Sequence, residues 1–186
     1  MRRSRRAGHG IADQAIEADR AMREHGRPGY VTDQLLRISL IDCRTEFVDA
    51  GHPWPLRMRD GQVRELTPKV DVPFGLPTPH TYQAQSLDPQ QGDRLVMLTD
   101  DMLERNANSL NPAEPIVRTR ALPPRESART LIGAIVDVNE GRLQDDATVM
   151  CLDWHGVGAP RRDADTGADL ADASAASRTG PTRPSG

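Results

Sequence analysis

The alternation of apolar and polar residues predicts that the chain opens with a helix. From Ile11 to His25, apolar residues recur every three or four positions, which is the spacing of one face of an amphipathic helix. Gly26 and Pro28 follow, and both residue types commonly end a helix. We therefore predict a helix over residues 11–25 with one apolar face.

The next segments show the period-two alternation of half-buried strands. The first two predicted strands form an antiparallel hairpin, and a second hairpin has Asp60 and Gly61 at its turn. Two further strands follow before the second half of the chain. The predicted strands lie within YVTDQLLRISLI (residues 30–41), RTEFVDAG (44–51), PLRMRDGQVREL (55–66), HTYQAQSL (80–87) and DRLVMLTD (93–100).

Helical spacing returns in the second half of the chain. The run from Pro112 to Gly141 predicts a short helical piece and then a longer helix from about Arg125 to Val138. ATVMCLDW (residues 147–154) predicts a continuous apolar strand that is buried on both faces. One helix, about six mostly hairpin-linked strands, two helices and a last strand together predict an α+β fold with a largely antiparallel sheet.

Length and composition predict one folded domain and a tail. The chain has 186 residues, which suits one ordinary domain better than two. From Val157 onward there is no aromatic residue, and Leu170 is the one other large aliphatic residue, so residues 157–186 are predicted to be a disordered tail. Residues 1–156 form the predicted folded part. Cys43 and Cys151 match no metal motif, and we expect free thiols.

Charge and hydropathy exclude several classes of function. The formal net charge of -3 gives no polyanion-binding signature, although the N-terminal arginines are a local exception, so we expect no nucleic-acid partner. No window approaches the roughly 20 apolar residues that cross a bilayer, and we expect no membrane span. The basic start, MRRSRR, is not followed by the apolar run of a signal peptide, which predicts a cytoplasmic protein.

Two pairs of acidic residues at strand boundaries are the candidate metal-binding residues. Asp100 and Asp101 follow one predicted strand, and Asp145 and Asp146 precede another. If these strands are antiparallel neighbours, the four carboxylates lie at one sheet edge. Such crowding favours a hard divalent cation such as Mg²⁺ or Mn²⁺. The alternative from spacing alone is that Asp100 or Asp101 caps a following helix.

Three strings, in this order and spacing, resemble a known family. They are VDAGHPWPLRMRDGQVREL, LDPQQGDRLVMLTDDMLERNA and DDATVMCLDW. Together they are similar to the C-terminal two-thirds of a PPM-type protein phosphatase domain, and most similar to its bacterial SpoIIE-like branch. The resemblance extends from about Arg2 to Trp154. It implies a partial four-layer α/β/β/α sandwich with two largely antiparallel sheets between helix layers.

The resemblance implies a metal-dependent protein serine/threonine phosphatase. In the family, two Mn²⁺ or Mg²⁺ ions activate a water that attacks the phosphorus of phosphoserine or phosphothreonine. Asp100 and Asp145 stand at the metal-ligand positions of the family's TDG and DDAT strings, and Asp146 is a third candidate. Asp101 and Glu104 rank lower. The implied partner is a phosphorylated signalling protein, such as an anti-sigma-factor antagonist.

Three departures from the family pattern qualify this expectation. Asp101 stands where the family has glycine, and Asp49 replaces the usual asparagine before AGH, where it would cap a turn. The family's metal-bridging aspartate, in a GD string, is absent upstream of Ile11, so we expect the chain to begin inside the domain and to expose a sheet edge for self-association. The alternative function is therefore a non-catalytic remnant that binds a phosphoprotein or acts as a regulatory interaction module.

Overall fold

The computed structural model describes residues 9–26, 29–39, 41–99, 111–138 and 148–156. The chain divides into two compact units. The first unit comprises Met1–Trp54 and Leu66–Gln90, and the second comprises Pro55–Glu65 and Gln91–Gly186. The predicted tail, residues 157–186, lies outside the described residues.

Helices and strands follow the predicted α+β order. No helix in the described ranges is long and apolar enough to span a membrane. In chain order the elements are α1 (Ile11–His25), β1 (Asp33–Ile38), β2 (Thr45–Ala50), β3 (Leu56–Arg59), β4 (Gln62–Glu65), β5 (Val70–Asp71), β6 (Arg94–Leu98), α2 (Ala113–Arg118), α3 (Pro124–Val138) and β7 (Val149–Asp153).

The first unit packs α1 against a three-stranded sheet of order β1-β2-β5. The predicted helix has the predicted bounds, and its apolar face is buried through Ile11 and Ala15. The strands β1 and β2 form the predicted antiparallel hairpin. The hydrophobic core of this unit includes Phe74 and Tyr82, whose rings make an edge-to-face contact with their centroids 5.1 Å apart.

The second unit contains a four-stranded antiparallel sheet of order β4-β3-β6-β7. The predicted turn between β3 and β4 is confirmed: Asp60 and Gly61 both have positive φ, 52° and 74°, as a two-residue type I′ hairpin requires. One face of the sheet packs on α2 and α3. This core consists of Leu56, Met58, Val96, Leu98, Ile116 and Leu131.

The strand predicted over residues 80–87 is wrong. Gln85 forms one bridge with Phe47, but the backbone on either side finds side-chain acceptors instead of a strand. The amide of Gln83 donates to the Asp71 carboxylate at 2.8 Å, and the amide of Leu87 donates to Thr45 Oγ1 at 3.2 Å. Because these amides are already satisfied, no regular ladder forms.

The predicted burial of the last strand on both faces is also wrong. Met150, in β7, is 46% exposed. Within the described part of the chain β7 pairs with β6 alone, so it is an edge strand of this sheet. A continuous apolar run does not distinguish a central strand from an edge strand.

Candidate metal centre

The strands β6 and β7 are antiparallel neighbours, as the proposed metal site requires. Leu98 lies opposite Val149 at the end of the ladder. The pairing continues one residue further: the amide of Thr99 donates to the carbonyl of Thr148 at 3.2 Å, and the amide of Thr148 donates to Thr99 Oγ1 at 3.0 Å. We call this end of the sheet the Thr99–Thr148 edge.

The predicted metal ligands flank this edge in sequence. Asp100 follows Thr99 directly, and the Asp145–Asp146 pair comes two residues before Thr148. All three candidates, together with Asp101 and Glu104, lie outside the described residues, so the ligand assignment stays a prediction. Within the described ranges, no group of three or more histidine, cysteine or acidic side chains forms a metal-binding cluster.

A buried arginine holds the opposite end of the same two strands. Arg94, the first residue of β6, has a side chain that is 3% exposed and forms a two-pronged ion pair with Asp153 of β7. It also donates to the carbonyl of Thr119 at 2.9 Å, to the carbonyl of Leu122 at 2.6 Å and to the hydroxyl of Ser127. Arg94 therefore ties β6 to β7 and to the connection between α2 and α3.

A second ion pair anchors the start of β6 to β3. Asp93 is 1% exposed, and its two carboxylate oxygens accept hydrogen bonds from Nε and Nη2 of Arg59, each at 2.7 Å. Such fork-shaped pairing fixes both groups more tightly than a single contact. Sequence analysis missed both pairs. For the Arg94–Asp153 pair, the sequence signal was an arginine at the start of the apolar run RLVML and an aspartate at the end of VMCLD.

In the first unit, Asp49 and His52 organise the loop that follows β2. Asp49 is fully buried; one carboxylate oxygen accepts from the amide of His52 at 2.9 Å and the other from Nε2 of Gln34 at 3.3 Å. The turn-capping role predicted for Asp49 is confirmed. His52 Nδ1 forms a hydrogen bond with Thr32 Oγ1 at 3.2 Å, which fixes the imidazole in this loop.

Asp49 gives the first testable prediction. Burial raises the pKa of its carboxyl above the ordinary value of 3.8, against the lowering effect of its hydrogen bonds. Because the folded state binds the proton more tightly, the contribution of Asp49 to stability is full at low pH and is lost as the pH rises through its folded pKa. Asp49→Asn should therefore gain stability relative to the parent as pH rises from 3.8 toward neutrality.

Urea unfolding at pH 4, 5.5 and 7 measures this difference in the free energy of unfolding. Asp13→Asn is the control of opposite kind, because the Asp13 carboxylate accepts a hydrogen bond from the Gly10 amide at 3.2 Å in the first turn of α1; this variant should not gain stability as the pH rises. A difference between Asp49→Asn and the parent that stays constant across the three pH values would contradict the buried-carboxylate explanation.

Comparisons with known proteins agree with this architecture. The family model described as Stage II sporulation protein E (SpoIIE) matches residues 1–155. Among solved structures, the phosphatase domain of the cell-fate determinant SpoIIE from Bacillus subtilis is 21% identical, with a TM-score of 0.56 over 82% of this chain and 75% of that one. No curated protein gives a significant match.

Two mycobacterial structures share the fold as well. The RsbU and RsbW domains from Mycobacterium tuberculosis are 21% identical, with a TM-score of 0.67 over 81% of this chain and 43% of that one. The PPM Ser-Thr phosphatase MsPP from Mycobacterium smegmatis, solved with cacodylate, is 18% identical, with a TM-score of 0.57 over 78% and 71%. At these identities the three structures establish a shared fold.

Proposed function

Since the chain belongs to the SpoIIE-like family of PPM-type phosphatases, we propose that it is a metal-dependent protein serine/threonine phosphatase. Its substrate would be phosphoserine or phosphothreonine on a signalling protein in the cytoplasm. Family membership and the α+β fold with antiparallel sheets support phosphatase chemistry. The metal, the substrate class and the activity of this chain are the parts that we propose.

The pairing at the Thr99–Thr148 edge is the observation that carries the proposal. It joins the residue after β6, Thr99, to the residue before β7, Thr148. In the sequence, Asp100 comes directly after the first, and Asp145 and Asp146 come shortly before the second. Carboxylate oxygens are the donors that Mn²⁺ and Mg²⁺ prefer, so the donor set fits these ions. Bound divalent ions supply a water of lowered pKa and screen charge on the phosphoryl oxygens.

The chain itself would position the ligands before any ion binds. The two hydrogen bonds between Thr99 and Thr148 fix the separation of the strand ends, and the Arg94–Asp153 pair fixes their register from the other end. Carboxylates held close together repel one another, and a cation removes that repulsion. Metal binding should therefore stabilise the folded chain, by a free energy that rises with the logarithm of the ion concentration once that concentration exceeds the dissociation constant.

The direct test is hydrolysis of a phosphoserine peptide by the full chain. We expect phosphate release with Mn²⁺ and none with EDTA, together with a rise in melting temperature on adding Mn²⁺. A phosphotyrosine peptide of the same sequence is the control for substrate class. Folded protein that binds the phosphopeptide but releases no phosphate would contradict the enzyme and favour the non-catalytic interaction module.

A further inference from the structure

One face of the β3–β4 hairpin carries a concentration of arginines that the proposed metal centre does not use. Alternate residues of each strand share a face, so this surface combines Arg57 and Arg59 of β3 with Gln62 and Arg64 of β4. These side chains and Asp60 of the turn line a cavity of about 360 Å³. We call this surface the arginine groove.

The charges in the groove are not balanced. Arg57 lies directly opposite Arg64 in the ladder, and like charges at such positions, with Cβ atoms about 5 Å apart, destabilise a hairpin. Arg59 is neutralised by buried Asp93. Arg64 donates to Gln62 Oε1 at 3.3 Å, but neither Arg57 nor Arg64 forms an ion pair with a carboxylate in the described ranges.

Outside the groove, six of the nine arginines in the described ranges form an ion pair with a described carboxylate. Examples span buried and exposed positions: Arg23 with Asp19, Arg37 with Glu46, Arg44 with Asp42 and Arg129 with Glu126. Against this background, two facing guanidinium groups beside a cavity are suited to an anion from outside the chain. A guanidinium binds a carboxylate through two parallel hydrogen bonds, which makes carboxylates its natural partners.

The groove lies a short distance from the Thr99–Thr148 edge. Arg57 is opposite Leu95 of β6, four residues before Thr99. At about 3.3 Å per residue, the offset between Arg57 and Thr99 along the strand direction is roughly 13 Å. An extended peptide would cover this distance in about four residues. A substrate segment with its phosphorylated residue at the edge could therefore reach the groove with side chains about four positions away.

We propose that the arginine groove binds an acidic segment of the protein partner, with glutamate or aspartate about four residues from the phosphorylated residue. The identity of the partner as a phosphoprotein rests on the proposed function; the preference for carboxylates rests on Arg57 and Arg64. Among the described residues that line the groove, Asp60 at the turn is the one that carries a negative charge, and it would limit the affinity.

Fluorescence anisotropy with the full chain in EDTA tests the groove separately from catalysis. The probes are two labelled twelve-residue peptides with an unphosphorylated serine: one has three glutamates centred four residues from it, and the other has three glutamines there. We expect the parent to bind the glutamate peptide about tenfold more tightly, as two exposed charge pairs allow. This preference should fall as NaCl concentration rises.

The variant R57Q/R64Q should lose the preference, whereas R120Q/R125Q should keep it. Arg120 and Arg125 are exposed arginines of the same unit, so the control removes the same total charge. The reversed variant R57E/R64E should instead prefer a lysine peptide. Because R57Q/R64Q removes the repulsion between facing charges, its melting temperature should not fall, and circular dichroism checks that it is folded.

Equal binding of the two peptides by the parent would overturn the inference without reference to any variant. Equal loss of the preference in R57Q/R64Q and R120Q/R125Q would also overturn it, because it would indicate attraction by net charge. Tighter binding of a dT12 oligonucleotide than of the glutamate peptide would replace an acidic protein segment with a nucleic acid. Absence of hydrolysis with Mn²⁺ contradicts the proposed enzyme but leaves this binding result unaffected.

Discussion

Asp145→Asn is expected to lower Mn²⁺-dependent hydrolysis of the phosphoserine peptide by about 100-fold or more, and Asp100→Asn should do the same. Loss of an outer-shell partner of a metal ligand typically costs 10- to 100-fold in affinity or activity, and loss of a ligand itself should cost at least as much. Asparagine keeps the size of the side chain and removes its negative charge. The measurement is kcat/KM for phosphate release over a range of Mn²⁺ concentrations.

A second readout separates metal binding from other causes of lost activity. The Mn²⁺-induced rise in melting temperature should be reduced in both variants, because the ion no longer binds the folded state as tightly. Asp137→Asn, at an exposed position of α3, is the control and should keep both activity and the thermal shift. An Asp145→Asn chain that retains the full thermal shift would contradict the ligand assignment. Asp146→Asn, assayed alongside, ranks the third candidate.

The elements that sequence predicted best are those specified by local patterns. Helix α1 begins and ends as predicted because its apolar periodicity extends over four turns and is followed by Gly26. The β3–β4 hairpin follows from Asp60-Gly61, a pair that accepts the positive φ angles of a type I′ turn. In both cases the decisive interactions are between residues close in sequence.

Elements that depend on distant partners were not predictable in the same way. The two-residue strand β5 pairs in parallel with β2, about 20 residues earlier, and two residues carry no periodicity. The strand predicted over residues 80–87 has the right alternation, but the side chains of Asp71 and Thr45 take its amides. Which acceptor an amide finds depends on the tertiary fold, and one sequence does not reveal it.

In the candidate site, too, features set by local sequence were predictable and features that depend on distant partners were not. Acidic pairs at strand boundaries are visible in the sequence, and the structure supplies the antiparallel pairing of β6 with β7, the two strands that these pairs adjoin in sequence. Arg94 was missed because its partner, Asp153, lies 59 residues away. In RLVML the arginine looks like the solvent-exposed start of a strand, yet its side chain is almost completely buried.

Arg94→Met is therefore expected to have the largest effect on stability. Removing the guanidinium leaves the partly buried Asp153 carboxylate without its partner, and the carbonyls of Thr119 and Leu122 lose their donors. Breaking a buried ion pair by removing one partner costs about 3–5 kcal/mol. Urea unfolding of the full chain measures the change. Arg129→Met, in an exposed pair with Glu126, should change the free energy of unfolding by less than about 1 kcal/mol.

The double variant Arg94→Met with Asp153→Leu tests whether the cost comes from the stranded carboxylate. Replacing both charges with apolar groups removes the unpaired buried charge, so the double variant should be more stable than Arg94→Met alone. Arg94 also fixes the register of β6 and β7, so we expect Arg94→Met to weaken the Mn²⁺-induced thermal shift although the variant keeps both Asp100 and Asp145 in its sequence. An Arg94→Met chain as stable as Arg129→Met would show that the buried pair does not hold these strands together.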